Sequence, residues 1–235
     1  MCLKEANIRS VFIDFSAKMI EDVDPQRDLL FRHPFTAIVA GSSSSGKTTL
    51  VTRIVNHLPH LTTPEITKPI RVLWCTGSFA RPPPIPNKDV AVTVRTGAPP
   101  EDPECDVIVV DDQMTDMADS KSMSDLFTKH SHHRNISIIF ILQNLFVQGK
   151  HMRNITLNAH YIFLTKSRRD LNQVKRLGQQ VFGNSTFFFN AYKKCVLERD
   201  YGYILLDLSP NTDERFRVRS NIIPTEYPIE VFVPA

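Results

Sequence analysis

Nine consecutive residues, Gly41-Ser42-Ser43-Ser44-Ser45-Gly46-Lys47-Thr48-Thr49, hold the densest chemistry in the sequence. They run glycine, four residues, then glycine-lysine-threonine, the spacing of a phosphate-binding P-loop. Gly41 and Gly46 allow a backbone turn that a Cβ obstructs. The turn aims successive backbone N–H groups at the β- and γ-phosphates of a nucleotide. Lys47 brings a mobile positive charge, and the Thr48 hydroxyl can ligate Mg²⁺. A strand-like run, Phe35 to Ala40, leads in, and a helix-compatible run, Thr48 to Leu58, follows. The phosphates would therefore sit at a helix N-terminus.

Three further positions complete a hydrolytic site. Asp111 follows the apolar run Val107-Ile108-Val109-Val110. A carboxylate there, at a strand's C-terminal edge downstream of the P-loop, is the Walker B arrangement and reaches the Mg²⁺ shared with Thr48. Asp112, directly after it, is placed to orient or deprotonate an attacking water, which points to ATP hydrolysis rather than a simple kinase. Its bland alternative is a cap on the following loop. Gln143 ends the next buried run, and its amide can bond both the γ-phosphate and the water, or else satisfy loop backbone. Arg134 precedes that run within His130-Ser131-His132-His133-Arg134-Asn135. An arginine near a subunit edge can serve a neighbour's γ-phosphate as a finger in trans. The histidines read as a surface cluster, because no thiol or acid pattern accompanies them.

The elements that must position these groups follow from hydrophobic patterning. Short strands are expected at 11–15, 35–40, 71–75 and 90–94. Continuous apolar runs at 105–112, 136–142 and 161–165 suit parallel strands buried on both faces. Helical spacing is expected at 122–130 and at 170–182, with Gly183 as the stop. Residues 203–208 and 216–218 read as a late antiparallel pair, and Pro224, Pro228 and Pro234 keep the tail extended. Strands alternating with helices predict an α/β three-layer P-loop NTPase fold (RecA-like/ASCE) with a mostly parallel central sheet. Residues 1–34 form an N-terminal arm, and 35–235 one ATPase domain with an extended tail.

The chain has 235 residues, 42% of them hydrophobic, enough for one domain with a substantial core. No apolar run approaches a bilayer span, and the N-terminus lacks a secretory apolar core, so an intracellular, soluble protein with no membrane partner is expected. Cys2, Cys75, Cys105 and Cys195 are scattered, which fits reduced structural thiols. Net charge is only +3, but it is polarised. Residues 99–125 carry nine acids against Lys121, and residues 129–176 carry nine Lys/Arg against Asp170. A basic block in a nucleotide-binding domain fits either a solvated face or a polyanion partner.

GSSSSGKTT, VIVVDDQ, HHRNISIIFILQNLF and KHMRNITLNAHYIFLTKSRRD together resemble the genome-packaging ATPases of poxvirus-like large DNA viruses and of Maverick/Polinton elements, in the FtsK/HerA division. The resemblance spans about Phe31 to Gly183, and its specific part is Gln143-Asn144 with the stretch from Gly149 to Tyr161. It implies that Lys47 and Thr48 bind ATP and Mg²⁺, Asp111 holds the metal, Asp112 activates water and Gln143 senses the γ-phosphate. Arg134 matches the finger position approximately. It further implies a hexameric ring that moves double-stranded DNA into a capsid, in the host nucleus or cytoplasm or with the virion. A helicase, a transposition accessory, a small-molecule kinase and a non-hydrolysing interaction module are the rival classes. The acid pair and Gln143 argue against the last two.

Overall fold

The computed structural model describes residues 8–13, 28–63, 66–77, 82–111, 124–125, 127, 134–145, 150–167, 169–226 and 228–234. Asp112, the histidines at 130, 132 and 133, Arg168, the Lys150 side chain and most of the helix expected at 122–130 lie outside them.

The strands are β1 (Ile8–Ile13), β2 (Thr36–Ala40), β3 (Ile70–Thr76), β4 (Val90–Thr96), β5 (Val107–Asp111), β6 (Ser137–Leu142), β7 (Tyr161–Leu164), β8 (Ile204–Asp207), β9 (Val218–Ser220) and β10 (Ile229–Pro234). They form one sheet in the order β1-β10-β9-β8-β7-β2-β6-β5-β3-β4. From β7 to β4 every pairing is parallel, and from β7 back to β1 every pairing is antiparallel. The helices are α1 (Lys47–Asn56), α2 (Leu58–Leu61), α3 (Lys150–Leu157), α4 (Leu171–Phe182) and α5 (Ser185–Tyr192), the last running on into a π-helical turn at Lys193–Leu197.

Alternation along the strands builds two cores. Ala37, Val39, Val107, Val109, Ile139, Ile141 and Phe163 pack on one face with Leu50, Val51, Ile54 and Val55 of α1. Ile38, Ile108, Phe140, Leu142, Ile162 and Leu164 pack on the other with Met152, Val174, Leu177 and Phe188 of α3, α4 and α5. The result is helix, sheet, helix, the three-layer α/β fold expected from the sequence. Because both faces are covered, the central strands need no polar alternation and read as unbroken apolar runs. Each fully buried aliphatic side chain contributes about 1.5–3 kcal/mol.

The strand order decides where chemistry can occur. β2, which leads into the P-loop, and β5, which carries Asp111, are not neighbours; β6 lies between them. That interposed strand delivers Gln143 between the other two ends. All three run parallel, so their C-terminal ends share one edge of the sheet.

The structure also alters some element expectations. The first strand lies at 8–13 rather than 11–15, and it pairs antiparallel with β10 along six positions, from Ile8 opposite Pro234 to Ile13 opposite Ile229. The segment read as an arm and the extended tail thus close the sheet together. The antiparallel group is tied by buried charge. Arg219 donates to Asp207 Oδ2 at 2.6 Å, and Glu230, with no exposed surface, takes Lys194 at 2.7 Å and Arg199 at 2.6 Å.

Candidate active site

Gly41 enters the turn by donating its N–H to Leu142 O at 3.2 Å, across from β6. A Cβ at Gly41 would stand 2.0 Å from Thr165 Oγ1, so only glycine fits beside the end of β7. Thr165 in turn shares a 2.7 Å hydrogen bond with Ser45 Oγ and donates to Ala40 O at 3.3 Å. The Ser42 hydroxyl donates to Lys166 O at 2.8 Å. The loop is therefore braced on the β7 side by Thr165 and Lys166, about 120 residues away in sequence.

Gly46 has φ 88°, in the left-handed region, and caps α1. Gly46 has no side chain to cap the helix, and the N-terminus of α1, whose positive end favours an anion, opens at this loop. Ser42, Ser43, Ser44 and Thr49 are exposed, and Gly46, Lys47 and Thr48 half-buried. Lys47 Nζ bends back and donates to Ser42 O at 2.8 Å, so its charge lies over the cradle.

Across the cradle the Thr48 hydroxyl donates to Asp111 Oδ2 at 3.3 Å. Two hard oxygen donors from residues 63 apart in sequence thus face each other. Among the described residues no group of three or more His, Cys, Asp or Glu side chains forms a metal cage. The donor set fits Mg²⁺, which binds through one or two protein oxygens and substrate phosphates and keeps its remaining waters.

Gln143 is exposed at the same edge, directly after β6. With Asn144 it lines a cleft that also includes Ala40, Gly41, Thr165, Gln173 and Tyr192. Tyr192 seats the rim, donating its hydroxyl to Thr165 O at 3.1 Å and accepting from Ser167 N–H at 3.0 Å.

Arg134 lies elsewhere. It precedes β6, at the edge opposite Gln143, and its guanidinium donates to Glu101 O at 2.6 Å and pairs with Asp102. The fold therefore brings together the P-loop, Asp111 and Gln143, and leaves Arg134 away from this chain's own cradle. Sequence reading placed Thr165 only at a strand end and Lys166 only in the basic block, and missed that both brace the P-loop. The only local sign was a small hydroxyl residue at the end of a buried strand.

The four basic residues Arg153, Arg169, Lys175 and Arg176 are exposed on α3, on α4 and on the loop before α4, all in the helix layer opposite α1. None forms an ion pair with the 101–106 acids among the described residues. Those acids instead bind Arg71, through Asp106, and Arg134, through Asp102.

No family model matches the sequence, and no curated protein matches it. Among solved structures, the chain is similar to the genome-packaging NTPase B204 of Sulfolobus turreted icosahedral virus 2. In its sulfate complex the identity is 13% and the TM-score 0.47, covering 86% of this chain and 97% of that one. In its ATP-γS complex the identity is 11% and the TM-score again 0.47, with the same coverage. The N-terminal domain of zonular occludens toxin from Neisseria meningitidis is similar at 14% identity and TM-score 0.38, over 59% of this chain and 80% of that one.

Proposed function

We propose that this chain is an Mg²⁺-dependent ATPase subunit of a DNA-packaging motor, working as a homo-oligomeric ring, hexameric by family resemblance, that drives double-stranded DNA into a capsid. The observation that carries the hydrolytic reading is the Thr48–Asp111 contact across the P-loop, with β6 presenting Gln143 at the same edge. The P-loop N–H groups and Lys47 hold the β- and γ-phosphates, and Thr48 with Asp111 would hold Mg²⁺. When bound, the metal neutralises charge on the phosphate oxygens. Asp112 accepts the proton of the attacking water, and Gln143 orients that water against the γ-phosphate. Asp112 and Gln143 in the sequence disfavour a kinase, which needs to exclude the water that Asp112 would activate.

DNA as the polyanion rests on the family resemblance and on the exposed basic residues of the α3–α4 layer. Binding through them is insensitive to sequence and falls steeply with salt. The deciding measurement is phosphate release with and without double-stranded DNA, in wild type and Lys47→Ala. The expected result is a DNA-stimulated rate that Lys47→Ala abolishes. Equal turnover in the variant overturns the site. Indifference to DNA of any length overturns the motor. Replacing Arg153 or Arg176 should lower the slope of log affinity against log salt by about one each.

A further inference from the structure

We infer that Tyr201 is the platform on which the base of the bound nucleotide stacks, an inference that rests on the nucleotide reading of the P-loop. Tyr201 is 78% exposed, the most exposed large hydrophobic side chain among the described residues. Its ring nevertheless reaches the P-loop. A Cβ built on Gly46 would meet Tyr201 Cδ1 at 3.0 Å and Cε1 at 3.9 Å. The ring edge therefore borders the cradle at the residue before Lys47, while most of the side chain is open to solvent.

Contacts on both sides anchor the turn that carries Tyr201. The turn that carries Tyr201 leads into β8, whose first residue Ile204 lies opposite Leu164, so it emerges at the same sheet edge as Thr165 and the P-loop. Arg199 is fastened to Glu230 at 2.6 Å. Tyr203, on the other side, donates its hydroxyl to Glu226 at 2.6 Å, and Glu226 also takes Arg53 at 2.7 Å. Arg53 belongs to α1, the helix that opens at the P-loop, so Glu226 links Tyr203 to that helix. Tyr201 itself has φ 54°, a conformation disfavoured for a bulky side chain.

The ligand chemistry follows. A triphosphate whose β and γ groups fill the loop carries its nucleoside past the N-terminus of α1, over Gly46 and the exposed Thr49. An aromatic ring at that rim offers a π-face to the base. Stacking of this kind is tolerant of base identity, because every base has such a face. Tyr201 thus adds affinity for nucleoside triphosphates in general, with little discrimination between ATP and GTP.

The test compares ATP with inorganic tripolyphosphate, which has the phosphates and no base. Binding of each, with Mg²⁺, is measured by calorimetry on the full chain for wild type, Tyr201→Phe, Tyr201→Asn and Lys47→Ala. Asparagine tolerates the left-handed backbone, so Tyr201→Asn removes the ring without adding strain. The expected result is that Tyr201→Asn weakens ATP about tenfold or more while tripolyphosphate affinity holds, and that Tyr201→Phe keeps both. Lys47→Ala weakens both ligands. Unchanged ATP affinity in Tyr201→Asn, or an equal loss for the two ligands, overturns the platform while leaving the P-loop reading intact. A wild type that binds neither ligand overturns the P-loop reading, and the platform with it.

Discussion

On the proposed mechanism the sequence neighbours Asp111 and Asp112 have separable tasks. Asp111 faces Thr48 across the cradle, so Asp111→Asn removes half of a metal-binding oxygen pair. ATP affinity of that variant should lose its dependence on Mg²⁺. Asp112→Asn should bind ATP normally and fail in single turnover, because only the proton acceptor is gone. Normal single-turnover hydrolysis by Asp112→Asn would place the base elsewhere. Gly41 tests the brace beneath the loop. In Gly41→Ala the new methyl meets Thr165 Oγ1, which cannot retreat without losing its bonds to Ser45 and Ala40. A drop of about tenfold or more in ATP affinity is expected, and Thr165→Ser, which frees the space of one methyl but keeps the hydroxyl, should not restore it. Recovery in the double variant would show that the methyl rather than the hydroxyl sets the fit. The sequence made Gly41, Lys47, Thr48 and Asp111 legible because one short motif and one strand end contain them. Thr165 and Tyr201 reach the same loop from far along the chain, and no local pattern records that meeting.

Strands were legible where both sheet faces are covered, since burial on two sides leaves an unbroken apolar run. β5, β6 and β7 fall within the runs expected for them. β10 was not legible as the partner of β1, because an edge pairing depends on which distant segment arrives there and not on either segment's own pattern. α5 went unread for a related reason: Phe187-Phe188-Phe189 has strand-like composition, and its helical geometry comes from packing on α4, where Gly178 admits Phe188 closely. Within the antiparallel group the buried Asp207–Arg219 pair is the tie between β8 and β9. Arg219 also donates to Leu29 O at 3.4 Å, while Asp207 Oδ1 accepts from Ser209 N and Thr212 Oγ1. Arg219→Met leaves a charged Asp207 buried without its cation, a loss of about 3–5 kcal/mol. Urea unfolding at neutral pH measures it, and a shift below about 1 kcal/mol would mean that Asp207 is satisfied by its hydroxyl and amide donors alone.

At the scale of the whole molecule, burial sets how the fold responds to alkali. Burial pushes the Cys75 thiol up to about 12 and Cys105 to about 11, and raises Cys195 and Tyr203 as well. These groups stay protonated in the fold after their unfolded counterparts begin to ionise. Their contribution is complete below about pH 9 and is lost as pH rises toward the folded values. Thermal midpoints should fall steadily from about pH 9 to 11, and a flat profile would mean the thiols and Tyr203 are reached by water. Assembly is the remaining demand. β6, six residues long, spans about 20 Å and places Arg134 at the sheet edge away from its own Gln143. As a finger, Arg134 must therefore act on a neighbour, and it must first leave Asp102, an exposed partner worth little in water. Hydrolysis should then rise more than linearly with protein concentration as subunits associate. A mixture of Arg134→Ala with Lys47→Ala should regain part of the activity, because some interfaces pair an intact cradle with an intact arginine. Subunits that are fully active as monomers, or a mixture no better than its parts, would remove Arg134 from the mechanism. The exposed Arg153 and Arg169, on the helix layer opposite α1, would then be the arginines to test at the boundary.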